Sequence, residues 1–205
     1  LLFAIGQGDR FTGETGILIA SPTQAYGDLI SGESALDPAV LKAEQSNTSV
    51  AYGDRLLLKV YRRIENGVNP DLEIGRILTT MNFPHSPPVA GSIEYIRANG
   101  ETVTVAILQG FVHNQGDAWK YTLEAFDRYL VRCRAQPTGR EYELILNEPL
   151  LEMVQKAIPT FARELIGSYL DSASRIGQRT AELHVALANV QDNPDFTPEP
   201  FSLEY

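Results

Sequence analysis

Hydrophobic and polar positions along the middle of the chain fall into short blocks separated by turn residues. Residues 56–61, Leu-Leu-Leu-Lys-Val-Tyr, form an apolar run between Gly53-Asp54 and Asn66-Gly67, the pattern of a buried strand that carries one lysine, Lys59. Residues 40–44 and 48–51 read as two strands before it, joined by the polar loop Gln45-Ser46-Asn47 and followed by the turn Tyr52-Gly53-Asp54. Asn69-Pro70-Asp71 then opens a helix, with an asparagine to cap, a proline where no N–H is needed, and an acid near the positive end of the dipole. Ile74, Ile77, Leu78 and Met81 form its predicted apolar stripe, with Leu72 outside and Glu73 at the edge, where a carboxylate can lean towards a strand lysine. Residues 89–96 and 102–109 read as two more strands, joined by Ala98-Asn99-Gly100-Glu101. Three strands, a helix and two strands predict an α+β unit with an antiparallel sheet.

The flanks differ in texture. Residues 1–39 mix glycine turns with apolar runs at 1–5 and 16–20 and predict a small β-rich cap. Gly6-Gln7-Gly8 is no dinucleotide fingerprint, because Phe11 stands where the third glycine belongs. Residues 113–205 are helical in pattern. A helix over 118–134, capped by Asp117, repeats Trp119, Leu123, Phe126, Tyr129 and Leu130 at helical spacing, with Trp119 expected as a packing anchor. A second helical stretch over 149–190 is interrupted at Pro159, and His184 reads as an ordinary histidine with no second one at metal-ligand spacing.

Composition narrows the partners. At 43% hydrophobic and 21% charged residues the chain has an ordinary globular balance, and its formal charge of −9 argues against nucleic acid, whose phosphates need a basic face. Cys133 is the single cysteine, so neither a disulfide framework nor a cysteine metal cluster is expected, which suits a reducing, cytoplasmic location. No apolar run has membrane-spanning length. The chain begins on leucine and ends on a proline-rich segment, as a piece of something longer would.

Two strings carry a resemblance. KVYRRIENGVNPDLEIGR, residues 59–76, and AILQGFVHNQGDAW, residues 106–119, are similar to the signatures of bacterial maltokinases, including those fused to trehalose synthase, and RTAELHVALA, residues 179–188, resembles the helix before their catalytic half. The resemblance implies a protein-kinase-like, aminoglycoside-phosphotransferase-like amino-terminal lobe at 40–112. The cap at 1–39 precedes it, and 113–205 is the incomplete start of a catalytic lobe. It further implies that Lys59, paired with Glu73, holds the α- and β-phosphates of ATP. Ser46, Asn47 and Thr48 would lie over the triphosphate, and Gln109 and Phe111 would form the hinge against the adenine edge. The implied activity is phosphorylation of maltose to maltose 1-phosphate, on a route from trehalose to glycogen or α-glucan, with a trehalose synthase domain as a fused or associated partner.

One departure bears on activity. The proton-accepting aspartate and the Mg²⁺ ligands of this family sit in a His-Gly-Asp type loop and a later aspartate strand, and the sequence contains neither. The Mg²⁺ ligands are therefore expected outside these residues, and the chain alone is expected to be inactive. Two other classes stay open: a non-catalytic regulatory or scaffolding domain of a trehalose synthase fusion, and a carbohydrate-binding module, which would bind sugar without ATP.

Overall fold

The computed structural model describes residues 1–32, 36–41, 47–136, 149–191 and 193–200. Among these are seven strands: β1 (Arg10–Thr12), β2 (Gly16–Pro22), β3 (Pro38–Leu41), β4 (Asn47–Tyr52), β5 (Leu56–Tyr61), β6 (Val89–Arg97) and β7 (Thr102–Gly110). They join one antiparallel sheet in the order β1-β2-β6-β7-β5-β4-β3. The helices are α1 (Leu2–Gln7), α2 (Ala25–Ile30), α3 (Pro70–Thr80), α4 (Ala118–Arg134), α5 (Leu150–Met153), α6 (Thr160–Ile166) and α7 (Tyr169–Ala188), with a short 3-10 turn at Pro194–Phe196. The chain divides into two units, Leu1–His113 with His184–Tyr205, and Asn114–Leu183.

In the first unit the central strands are covered on both faces, which is why β5 is apolar almost throughout rather than alternating. On one face Leu56, Leu58, Ala90, Ile93, Ala106 and Leu108 are buried with Ile5 of α1, and Leu2, Ala4, Tyr26, Leu29 and Ile30 of α1 and α2 pack against them. On the other face Leu72 of α3 is buried with Val89 and Ile107, and Tyr61 packs beside them. Bulges between Val89 and Gly91 and between Ile93 and Glu94 shift the β6 register. They leave Val89, Ser92 and Glu94 on the α3 side.

Three expectations are corrected here. The apolar run 1–5 is helical: Ile5 is buried while Leu1 and Phe3 are exposed, and the helix closes on Gly8 at φ 69°. A run that short carries no period to tell strand from helix. The two strands of the cap region do not form a sheet of their own, since β2 pairs with β6 along its whole length, from Gly16↔Arg97 to Pro22↔Gly91. The apolar stripe of α3 is only partly as predicted: Leu78 is buried, but so are Leu72, expected outside, and Gly75, while Met81 is exposed. Glycine at 75 lets the helix approach β6, because a Cβ there would stand 2.6 Å from Val89 Cγ2.

In the second unit Asp117 caps α4, its Oδ1 accepting the Lys120 amide at 2.8 Å, as the sequence predicts. Pro159 precedes α6, and Gly167 at φ 71° separates it from α7. Trp119 is no packing anchor: it is 72% exposed, and Leu123 and Phe126 are exposed with it, leaving Ala125 as the buried residue of α4. Thr122, Ala125, Phe126, Tyr129, Ile166 and Tyr169 line an apolar cavity of about 250 Å³.

Candidate functional site

Strand register decides which candidate residues share a face. Lys59 of β5 stands between Ser49 of β4 and Ile107 of β7, and Ile107 faces Ser92 of β6, so the four make one cross-strand row. Ile107 packs on Leu72, so this row lies on the α3 side of the sheet. The neighbouring row, Ala51↔Leu57↔Gln109↔Val89, lies on the same side, because Val89 also packs on Leu72. By the two-residue alternation of a strand, Asn47 and Ser49 share that face, while Thr48 takes the other one opposite Val60. The structure thus brings Lys59, Asn47 and Gln109 to one face and leaves Thr48 off it. Ser46 lies outside the described residues.

Lys59 and Glu73 are both half-buried, but no ion pair or hydrogen bond joins them. Glu73 sits about 100° round the helix from buried Leu72, on the flank beside exposed Thr80. The charged contact between α3 and the sheet is made by Arg76 instead. Its guanidinium reaches Glu94 Oε2 at 2.6 Å and donates to Ser92 Oγ at 2.8 Å, and Ser92 donates in turn to Glu94 Oε2 at 3.0 Å.

The ends of α3 are fixed as well. The Asn69 amide donates to Thr104 Oγ1 at 2.9 Å, the Asn69 side chain accepts from the Asp71 amide, and Thr79 Oγ1 accepts the Val89 amide at 2.8 Å. Sequence reasoning missed Arg76, Ser92, Glu94 and Thr104. The signal that finds Arg76 is the spacing 72, 75, 76, 79, an i, i+3, i+4, i+7 face that includes a glycine, an arginine and a threonine; its partners on β6 and β7 leave no local signal.

At the end of β7 the Gly110 amide donates to the Pro88 carbonyl at 2.9 Å and the Phe111 amide to the Arg55 carbonyl at 2.8 Å. Both N–H groups of this stretch are thereby engaged within the fold. Phe111 is half-buried, with its ring edge-on to His113 at 5.3 Å between centroids. A cavity of about 570 Å³ opens between α2 and the end of α3, lined by Gln24, Asp28, Leu78, Asn82, Phe83 and Pro88 among others, and no predicted site residue lines it. Among the described residues no three His, Cys, Asp or Glu side chains come together to hold a metal ion, and no helix is long and apolar enough to cross a membrane.

No family model matches the chain. Solved structures that resemble it include two of a glucosamine kinase. One, in complex with glucosamine, ADP and inorganic phosphate, is 16% identical at a TM-score of 0.47 and aligns with 88% of this chain and 44% of its own. The other, a second crystal form, is 14% identical at a TM-score of 0.43, over 90% of this chain and 47% of its own. The chain spans under half the length of either structure.

Proposed function

We propose that this chain is the nucleotide-binding portion of an ATP-dependent sugar kinase, with maltose as the acceptor that the sequence resemblance implies. The observation that carries the reading is Lys59: a half-buried lysine on a central strand, on the helix-covered face, with no ion pair among the described residues. A cation held there without a carboxylate is suited to an anion that arrives from outside, and the phosphates of a nucleotide meet that need. Asn47 and Gln109 on the same face would contact the ligand's polar edges, and the apolar Ala51 and Leu57 in the row of Gln109 would suit the flat face of a base. Five of the strands, β6-β7-β5-β4-β3, with α3 on one face, have the connectivity that the kinase-like amino-terminal lobe requires. Among the described residues no three His, Cys, Asp or Glu side chains gather, so the metal that accompanies ATP is assigned no ligand here and no step is drawn through it.

The reading is tested on the intact protein by calorimetric titration with ATP, followed by an assay of ADP release with maltose, glucose and glucosamine side by side. Saturable ATP binding and sugar-dependent ADP release support it. Sugar binding without ATP binding would replace it with the carbohydrate-binding reading. The second alternative, a scaffolding domain, predicts that neither ATP nor sugar binds.

A further inference from the structure

We infer that Ser49 belongs to the anion site served by Lys59, its hydroxyl donating to a phosphate oxygen of the nucleotide beside the lysine ammonium. This rests on the nucleotide reading above and adds a residue to it. Ser49 is fully buried, and among the described residues its Oγ is the buried side-chain polar atom that finds no hydrogen-bond partner. The other buried hydroxyls on this face are satisfied. Ser92 bonds Arg76 and Glu94, and Thr104 accepts the Asn69 amide.

An unpaired hydroxyl in an apolar place costs folding free energy that alanine would not incur, so the fold alone gives no reason for it. Its position gives one. Ser49 is the direct cross-strand neighbour of Lys59, at a spacing that lets one phosphate group meet both side chains. Lys59 is held by no ion pair among the described residues, so its flexible stem is the neighbour that can turn aside and open the hydroxyl to an anion. A hydroxyl donates to phosphate without adding charge, which leaves the ammonium as the electrostatic partner.

The test is titration of the intact protein and of Ser49→Ala, Ser49→Cys and Lys59→Met with ATP, inorganic tripolyphosphate and adenosine, with a thermal melt of each. Ser49→Ala is expected to melt at or above the parent temperature while its Kd for ATP and for tripolyphosphate rises about tenfold, the loss of one hydrogen bond to a charged group, with adenosine unaffected. Ser49→Cys, close in volume with a weaker donor, is expected to lose affinity in the same direction, and it decides the matter if the alanine variant misfolds. If both Ser49 variants bind tripolyphosphate as the parent does while Lys59→Met does not, the inference about Ser49 is overturned and the nucleotide reading stands. If Ser49→Ala melts lower and binds all three probes equally poorly, the hydroxyl is structural and the inference is likewise overturned. If the parent protein binds neither ATP nor tripolyphosphate, the nucleotide reading itself fails, and this inference with it.

Discussion

Arg76 and Glu94 meet at 2.6 Å across the joint between α3 and β6, with Ser92 bonded to both. The Glu94 side chain is 15% exposed and that of Arg76 37%, so the pair is screened from solvent mainly on the carboxylate side. With Thr104 holding the start of α3 and Thr79 tied to β6 at its end, the helix is positioned on the sheet without any contribution from Lys59 or Glu73. The cation of Lys59 is thereby left outside the structural network of the lobe.

Arg76→Ala is expected to destabilise the protein by about 2 kcal/mol, because it leaves a nearly buried carboxylate and a buried hydroxyl short of a partner; partial exposure of the arginine keeps the cost at the lower end for such pairs. Arg76→Lys recovers only part of this, since an ammonium does not reproduce the planar fork that reaches both Ser92 and Glu94. Glu73→Ala, on the flank of the same helix, is expected to stay within about 0.5 kcal/mol of the parent. Urea denaturation of the three variants measures the order, and a Glu73→Ala cost equal to that of Arg76→Ala would contradict the assignment of the joint.

Gly75→Ala sets two effects against each other. In an exposed helix the exchange gains about 1 kcal/mol from propensity. Here the new Cβ would fall 2.6 Å from Val89 Cγ2, in a cluster where Leu72 and Val89 are buried, so α3 or β6 must shift. Net destabilisation by about 1–2 kcal/mol is expected, and a melting temperature above that of the parent would show that the joint is looser than the structure draws it.

Most strands were legible in the sequence as short apolar runs bounded by turn residues, whereas the exposed β1, Arg10–Thr12, was not; Asn69 and Asp117 announced their helices by capping chemistry that acts within three residues. What was not legible depends on distant neighbours. The pairing of β2 with β6 joins residues more than sixty positions apart, and no local pattern encodes it. The buried face of α3 was misread because hydrophobicity selects Ile74, Ile77 and Met81, whereas the contact uses Gly75 for closeness and Arg76 and Thr79 for polar groups on β6. Lys59 was visible as a charge in an apolar run, yet its lack of an ion pair and the orphaned hydroxyl of Ser49 beside it emerge only from the register of β4 on β5. Trp119 shows the converse, since helical spacing marks a stripe without showing whether anything covers it.

The β6–β7 hairpin carries a pH marker. The Glu101 carboxyl is held below the usual carboxylate range, first by a hydrogen bond with Asn99 and next by Arg97, whose guanidinium lies 3.0 Å away. Because its folded pKa is depressed, the stabilisation is present above the unfolded value, about 4.3 for a glutamate, and is lost as pH falls through the folded pKa. NMR titration of the side-chain carboxyl should show Asn99→Ala and Arg97→Ala each raising the Glu101 midpoint. A midpoint that neither variant moves would remove both contacts as its cause.

Lys59→Met separates function from fold more cleanly than any other single change at the site. A buried-strand lysine that contributed to stability would do so through a partner, and Lys59 makes no ion pair among the described residues, while its stem is matched in length by methionine. Half-buried beside Leu58 and Val60 on β5, the position accepts an apolar side chain at no desolvation cost. The melting temperature of Lys59→Met is therefore expected to equal or exceed that of the parent. If the ammonium serves phosphates, ATP affinity falls at least tenfold, and sugar-dependent ADP release by the intact enzyme falls by two or more orders of magnitude, roughly the loss seen when one transition-state charge contact is removed. Stability and activity are measured on the same preparation. A variant that melts as the parent does and still releases ADP at the parent rate removes Lys59 from the site and the kinase reading with it, whereas a variant that unfolds early would show that the lysine has a structural partner which the register of β4, β5 and β7 does not reveal.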